Sequence, residues 1–403
     1  MQTAIHPPKE QAPQAASAVA RPKAARLTYL DTLRVILICL VIAQHAAITY
    51  GASGSWIYTD PVKDDITGIL LSLMNGINQS FFMGLFFFVS GYFTPGSYDR
   101  KGIGRFWKDR LLRLGIPLVL YTWLLNRIPH YIIALGEPTP PASFWEYVWR
   151  TALTQPDEGP TWFLLMLLAF CAGYTLWRLA ARSIPPERLN WASRLKLPGT
   201  RAILGLGLAI GGLMFLIGPF YGMDATWNAL GIFNLMVIFF PQYILFFIAG
   251  ILAYRNNWLA RLGEKKLHFW AWLSLGLILG LMVLFVVGGG MSGSTDVFMG
   301  GLYWQSAAFM LWVGLSGVAY SMTLLVWLRD RKQPQGRIMA FAGPNTFGVY
   351  LIHPLFLVPI SVAMTPLAIF PLIKFVVVLA VVIVLSFLVS EGLRRIPGVK
   401  AVL

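Results

Sequence analysis

Three ionisable residues interrupt an otherwise apolar run, YLDTLRVILICLVIAQHAAITYG at 29–51: Asp31, Arg34 and His45. Imidazole takes and returns a proton near neutral pH, and guanidinium holds a phosphate or carboxylate through two parallel hydrogen bonds. On a helix Arg34 and His45, eleven residues apart, differ by three turns plus about 20°, so they share a face roughly 16 Å apart along the axis. Asp31, three residues before Arg34, lies on nearly the same face and within pairing reach. It is about 21 Å from His45, so any group that orients the imidazole comes from another element. The run thus divides into an inner pair and a separate outer histidine. Two plainer readings stand beside this one: Arg34 snorkels to an interface, and His45 is a packing histidine bonded to a neighbouring helix. Ionisable groups within membrane spans usually mark function.

The elements that must position these residues are membrane helices. The 403 residues are 57% hydrophobic and 12% charged, with mean hydropathy +0.65, against about half and a quarter for soluble domains. Runs of roughly 20 apolar residues occur at 30–50, 66–93, 112–135, 162–181, 201–220, 228–253, 268–288, 301–328, 338–361 and 367–390. The sequence therefore predicts an all-α polytopic membrane protein with about ten transmembrane helices. Pro117, Pro241, Pro354 and Pro359 are expected kink points. With the N-terminus inside, only Lys63, Arg127, Arg150 and Lys374 of the 32 Lys and Arg fall on or toward the outside. The positive-inside rule then places both termini in the cytoplasm. The net charge of +15 is accordingly topological, and no nucleic-acid partner is implied.

The expected organisation is a disordered cytoplasmic tail at 1–26, a membrane domain at 27–391 and a short cytoplasmic tail at 392–403. No secretory signal peptide precedes the first span. Cys39 and Cys171 sit in apolar runs and read as buried packing residues. Gly207/Gly211 and Gly276/Gly280 read as helix-packing pairs. HExxH, GxSxG and Walker-type motifs are absent, so no metal, no permanently bound cofactor and no nucleoside triphosphate is implied.

Arg-x10-His after YLDTLR resembles the first helix of the acyltransferase 3 family of membrane acyltransferases. FFFVSGYF (86–93), RFWKDRLLRLGIPLVLY (105–121), WFLLMLL (162–168) and FGVYLIHPLF (347–356) are similar to its later segments, in the same order. YLDTLR, SGYF and YLIHP together look most like the branch of the glucan biosynthesis protein C succinyltransferases. The resemblance spans about residues 27–390. The chain carries no appended esterase-like domain of the kind some relatives have, so it is expected to work alone.

The resemblance implies transfer of an acyl group, succinyl or acetyl foremost, from cytoplasmic acyl-CoA to a hydroxyl of an extracytoplasmic glycan or glycolipid. The expected location is the bacterial cytoplasmic (inner) membrane. His45 matches the family's essential histidine and is either a general base, the preferred role, or a residue acylated in the reaction. Arg34 matches its partner arginine, with Asp31 holding it. Arg105, Arg110 and Arg113, with Lys101 and Lys108, form a basic cluster suited to coenzyme A phosphates, or they simply obey the positive-inside rule. Ser90, beside Gly91, marks a close approach of donor or of a packed helix. His353 matches a family position and reads either as a substrate contact or as a satisfied structural histidine. Trp162, with Tyr131, Trp145, Tyr147 and Trp149, offers aromatic faces to a sugar or forms the ordinary interfacial belt. The other reading of the whole is a transporter or flippase using Asp31, Arg34 and His45 as a path. Concentration of mid-membrane charge in one helix weighs against it. Oligomeric state is not legible, and acyl groups differ only in pocket shape and one charge.

Overall fold

A computed structural model describes residues 27–184, 194–229, 231–290, 295–331 and 336–403. The expected tail at 1–26, with His6, lies outside the described residues. The helices are α1 (Thr28–Thr49), α2 (Asp65–Gln79), α3 (Phe82–Arg110), α4 (Ile116–Leu120), α5 (Arg127–Ala134), α6 (Phe144–Thr151) and α7 (Trp162–Ala180). They continue with α8 (Thr200–Ile217), α9 (Phe240–Arg255), α10 (Leu267–Val287), α11 (Trp304–Asp330), α12 (Arg337–Ile352), α13 (Pro354–Met364) and α14 (Pro371–Arg394). Among the described residues, eight helical segments are long and apolar enough to cross a membrane, or nine when the bent pair α12–α13 counts as one.

One of the eight is a run of 70 residues, 65–134, far longer than the roughly 20 that a bilayer requires. It is interrupted at Gly102, whose φ of 70° turns the chain out of the helix. Across that break the Tyr98 and Phe106 rings meet edge to face at 5.3 Å, and Lys101 pairs with Asp109. Residues eight apart on a straight helix would sit about 12 Å apart, so the chain doubles back here.

Helix α1 is central. It packs on α2, α3, α11, α12 and α14, which explains why its apolar residues are buried on nearly all sides. By contrast α10 shows most of its apolar surface outward. Gly91 and Gly250 bring α3 and α9 into backbone contact: a Cβ on Gly91 would lie 2.1 Å from the Phe247 carbonyl oxygen. Gly207 and Gly211 press on α11, whereas Gly276 and Gly280 have nothing within 4 Å. The second pair therefore does not pack within the protein.

Several expectations change. The run at 66–93 is two helices, broken at Ser80–Phe81. Among its described residues the run at 228–253 contains no helix before 237; Trp227–Ala229 pairs antiparallel with Phe233–Leu235, a short ribbon in an otherwise helical fold. The paired β-prone stretch turns at Gly231, φ 71°, where apolarity alone had suggested a span. Pro241 opens α9 rather than kinking it, because its missing N–H is unpaired there anyway. Pro359 sits inside an unbroken α13. Pro354 does break its span: α12 and α13 meet at 62°, and the residue at the elbow is His353.

Candidate active site

The ends of α1 carry different environments. At its start, Arg34 Nη1 lies 3.4 Å from Asp31 Oδ1, as the i,i+3 spacing predicts. The guanidinium also sits over the Phe93 ring, 4.6 Å from its centroid. Phe93 lines a cavity of about 220 Å³ together with Ser97, Arg100, Lys101, Asp109, Arg110 and Arg113. The hairpin at Gly102 builds this cavity by folding one basic segment against another. Of the expected coenzyme A contacts, Arg110 and Arg113 line it, while Arg105 is exposed and lies outside it. Ser90 is half-buried further along α3, its carbonyl accepting from Thr94 Oγ1 at 2.7 Å. Nearby, Asp99 accepts from Arg178 at 2.6 Å and from Arg255 at 2.7 Å. Both guanidinium groups also donate to the Tyr174 hydroxyl. This network went unnoticed in the sequence because its members lie on three different helices.

At the other end, His45 meets the partners that its helix could not supply. The indole of Trp56 stacks on it with centroids 3.7 Å apart and planes within 20°. The His353 ring lies 5.4 Å away, also nearly parallel. His353 Nδ1 is 2.8 Å from the Tyr350 carbonyl oxygen. A carbonyl only accepts, so Nδ1 carries the hydrogen and Nε2 carries the lone pair. Among the described residues that Nε2 has no hydrogen-bond partner, nor do His45 Nδ1 and Trp56 Nε1. His353 therefore has a hydrogen-bond partner on one nitrogen among the described residues. The elbow at Pro354 turns it toward α1.

Trp56 belongs to the segment between α1 and α2, which is tied down at several points. The Asp60 amide donates to the Thr49 carbonyl at 2.8 Å. Its carboxylate pairs with Lys374 of α14 at 3.2 Å, both side chains fully buried. Lys374 also donates to the Thr365 carbonyl at 3.4 Å, and Tyr58 bonds the Thr365 hydroxyl. No local signal separates Trp56 from an ordinary interfacial Trp, which is why sequence reasoning passed over it.

A second polar cluster lies beside the first. Tyr350 donates to the Pro160 carbonyl. Asn126 donates to the Asp157 carbonyl at 3.0 Å, and His130 Nε2 lies 3.4 Å from Asp157 Oδ2. Glu158 accepts from the Asn234 amide at 2.7 Å, docking the β-ribbon. Burial pushes the Glu158 carboxyl up to about 7. Trp162 stacks on Tyr243 at 5.5 Å, in an aromatic row that continues to Phe239. Trp145 and Trp149 are exposed, as interfacial residues would be. Among the described residues, buried ionisable groups thus also occur on α5, α14 and two connecting segments.

A family model described as an acyltransferase domain matches residues 27–391. The chain belongs to that family of acyltransferases. It is an enzyme of the membrane, its apolar helices forming the matched domain. It is 28% identical to the glucans biosynthesis protein C of Salmonella schwarzengrund, over 94% of each chain. The same protein of Salmonella paratyphi B and that of Salmonella gallinarum are each 28% identical over 94% of both chains. No solved structure matches.

Proposed function

We propose that this acyltransferase moves an acyl group from cytoplasmic acyl-CoA to a hydroxyl of an extracytoplasmic glycan or glycolipid, in the bacterial inner membrane. The observation that carries the reading is the pairing of a basic cavity with a buried two-histidine stack at opposite ends of one central helix. The chain crosses the membrane ten times with both termini inside. Residues 65–134 cross twice through the hairpin at Gly102, and α12–α13 cross once as a broken span.

The donor's phosphates rest in the cavity of Arg100, Arg110 and Arg113, with Arg34 at its wall. Asp31 and Phe93 hold the Arg34 fork in place. Roughly 16 Å of α1 separates Arg34 from His45, a gap that the extended pantetheine arm of coenzyme A can span. His45 takes the proton of the acceptor hydroxyl as its oxygen attacks the thioester carbonyl. The C–S bond then breaks, and the proton passes from the imidazolium to the departing thiolate. The His353 Nε2 lone pair accepts a hydrogen bond from a neighbouring hydroxyl of the acceptor and so orients it. Trp56 covers the His45 ring and keeps it in register. The relatives' name concerns glucans, which favours a glucan acceptor here.

Mass spectrometry of surface glycans and lipids from cells with wild-type protein or His45→Ala tests the reading. An acyl mass present only with wild type identifies group and acceptor together. Identical spectra with equal protein levels would remove it.

A further inference from the structure

Helix α11 packs on both α1 and α10, and a cavity of about 260 Å³ lies where the three meet. Ile36 and Leu40 of α1, Phe81, and Tyr320, Leu324 and Trp327 of α11 line it. Ile36, Leu40, Leu324 and Trp327 are half-buried, because the cavity opens on the flank of the bundle. Ile36 and Leu40 fall between Arg34 and His45, so part of the central helix is within reach of the bilayer. Two polar side chains, Ser274 of α10 and Thr323 of α11, also face the cavity. Thr323 Oγ1 donates to the Ala319 carbonyl at 2.9 Å. Its 2.9 Å contact with Ser274 Oγ is then a bond that Ser274 donates. Both hydroxyl hydrogens are thus spent inside the wall, whose open surface is apolar.

From Trp327 to Tyr320 the cavity runs about 10 Å along α11. Trp327 lies one turn from the end of α11, at interfacial depth, so the remainder of the cavity lies in the hydrocarbon layer, where the available filler is a lipid chain. Its mouth carries charge. Arg331, exposed just past α11, holds its guanidinium over the Trp327 ring, 4.4 Å from the centroid. A phosphate at the head of a chain seated beside Trp327 meets that guanidinium. A second copy of the protein is a poorer occupant. Gly276 and Gly280, with nothing within 4 Å, would suit a closely packed helix, but they point about 200° and 240° round α10 from Ser274. A helix seated on them leaves the cavity uncovered.

We propose that this cavity binds one acyl chain of an anionic phospholipid, with Arg331 on the lipid's phosphate. With α11 ending in the cytoplasm, as in the topology proposed above, the lipid belongs to the inner leaflet. Its chain completes the packing of α1 between Arg34 and His45.

The test uses delipidated full-length protein in detergent, titrated with dioleoyl phosphatidylglycerol or dioleoyl phosphatidylcholine and read by native mass spectrometry. The two lipids share their chains and differ in net charge. For the first lipid bound, wild type is expected to prefer phosphatidylglycerol about fivefold. Arg331→Gln, at an exposed position, should still bind and bring the two affinities within about twofold. Leu324→Trp fills the cavity and should weaken the first site about tenfold for both lipids. Should Leu324→Trp not fold, phosphatidylglycerol with a diazirine midway along one chain replaces it, and photolabel is expected on residues 36–40 or 320–327. A preference absent from wild type or untouched by Arg331→Gln overturns the proposal, as does label confined to other segments. Wild-type first-site affinity in Leu324→Trp also overturns it. A dimer that Leu324→Trp dissociates would place a second copy in the cavity and likewise overturns it.

Discussion

The two ends of α1 handle charge in opposite ways. Around Arg34 the charges are exposed or half-exposed and mutually paired: Asp31 with Arg34, Lys101 with Asp109, Asp99 with Arg178 and Arg255. Around His45 they are enclosed, and several buried polar atoms have no hydrogen-bond partner among the described residues: His45 Nδ1, His353 Nε2 and Trp56 Nε1. Paired surface charges contribute little to stability and exchange partners easily, which suits a surface that grips and releases phosphates. Unpaired buried groups are costly and persist where chemistry needs them. A fully buried ion pair at that end, Asp60–Lys374, fastens the segment that carries Trp56.

Substitutions sharpen the contrast, beginning at the enclosed end. His45→Ala should lower acyl transfer by about 10²–10⁴-fold, with thermal stability near wild type; a smaller loss in a donor-to-acceptor assay would break the assignment of base. Lys374→Met strands the Asp60 carboxylate and should cost about 3–5 kcal/mol in unfolding experiments. Adding Asp60→Asn should recover much of that loss, because the stranded charge is what destabilises. Failure of the double variant to recover would show that packing, not charge, fastens the Trp56 segment.

Glu158→Gln probes burial by pH. The folded protein retains a proton on Glu158 up to about pH 7, and the unfolded chain releases it near 4.5. Its contribution is therefore complete at low pH and is lost as pH rises through 7, a difference of up to about 3 kcal/mol. Unfolding midpoints should converge at low pH and favour Glu158→Gln at pH 8; parallel profiles would contradict this. At the open end, Arg34→Lys keeps charge and loses the fork, so turnover should fall about tenfold. The smallest effect is expected for exposed Arg113→Gln. The donor KM should rise a few-fold at low salt, and the difference should fade by about 0.5 M salt, where screening is short-ranged. A salt-independent change would mean that Arg113 acts by shape rather than charge.

Apolar run length, charge asymmetry between alternate connections and motif order were all legible, because each is a property of a short window. They indicate a helical membrane protein, the Asp31–Arg34 pair and the separation of Arg34 from His45, and through the motifs they point to the acyltransferase family. Some local signals misled for equally local reasons. The apolar stretch at 228–235 reads as a span but turns at Gly231 into a ribbon. Four prolines were expected to kink spans; Pro354 does, whereas Pro241 sits at a helix start and Pro359 lies inside an unbroken helix.

Only the tertiary structure decided what meets His45. Hydropathy reports whether a residue leaves water, and helical periodicity reports which face it occupies; neither says which other helix that face touches. Asp60 and Lys374 are 314 residues apart in the chain and in contact in the fold. The elbow before Pro354 brings His353 beside His45, and the fastened segment lays Trp56 across the imidazole. Arg127 shows the same division. By sequence it is one outward-side charge among four. Packing encloses its side chain almost completely, which its place in the sequence does not foretell.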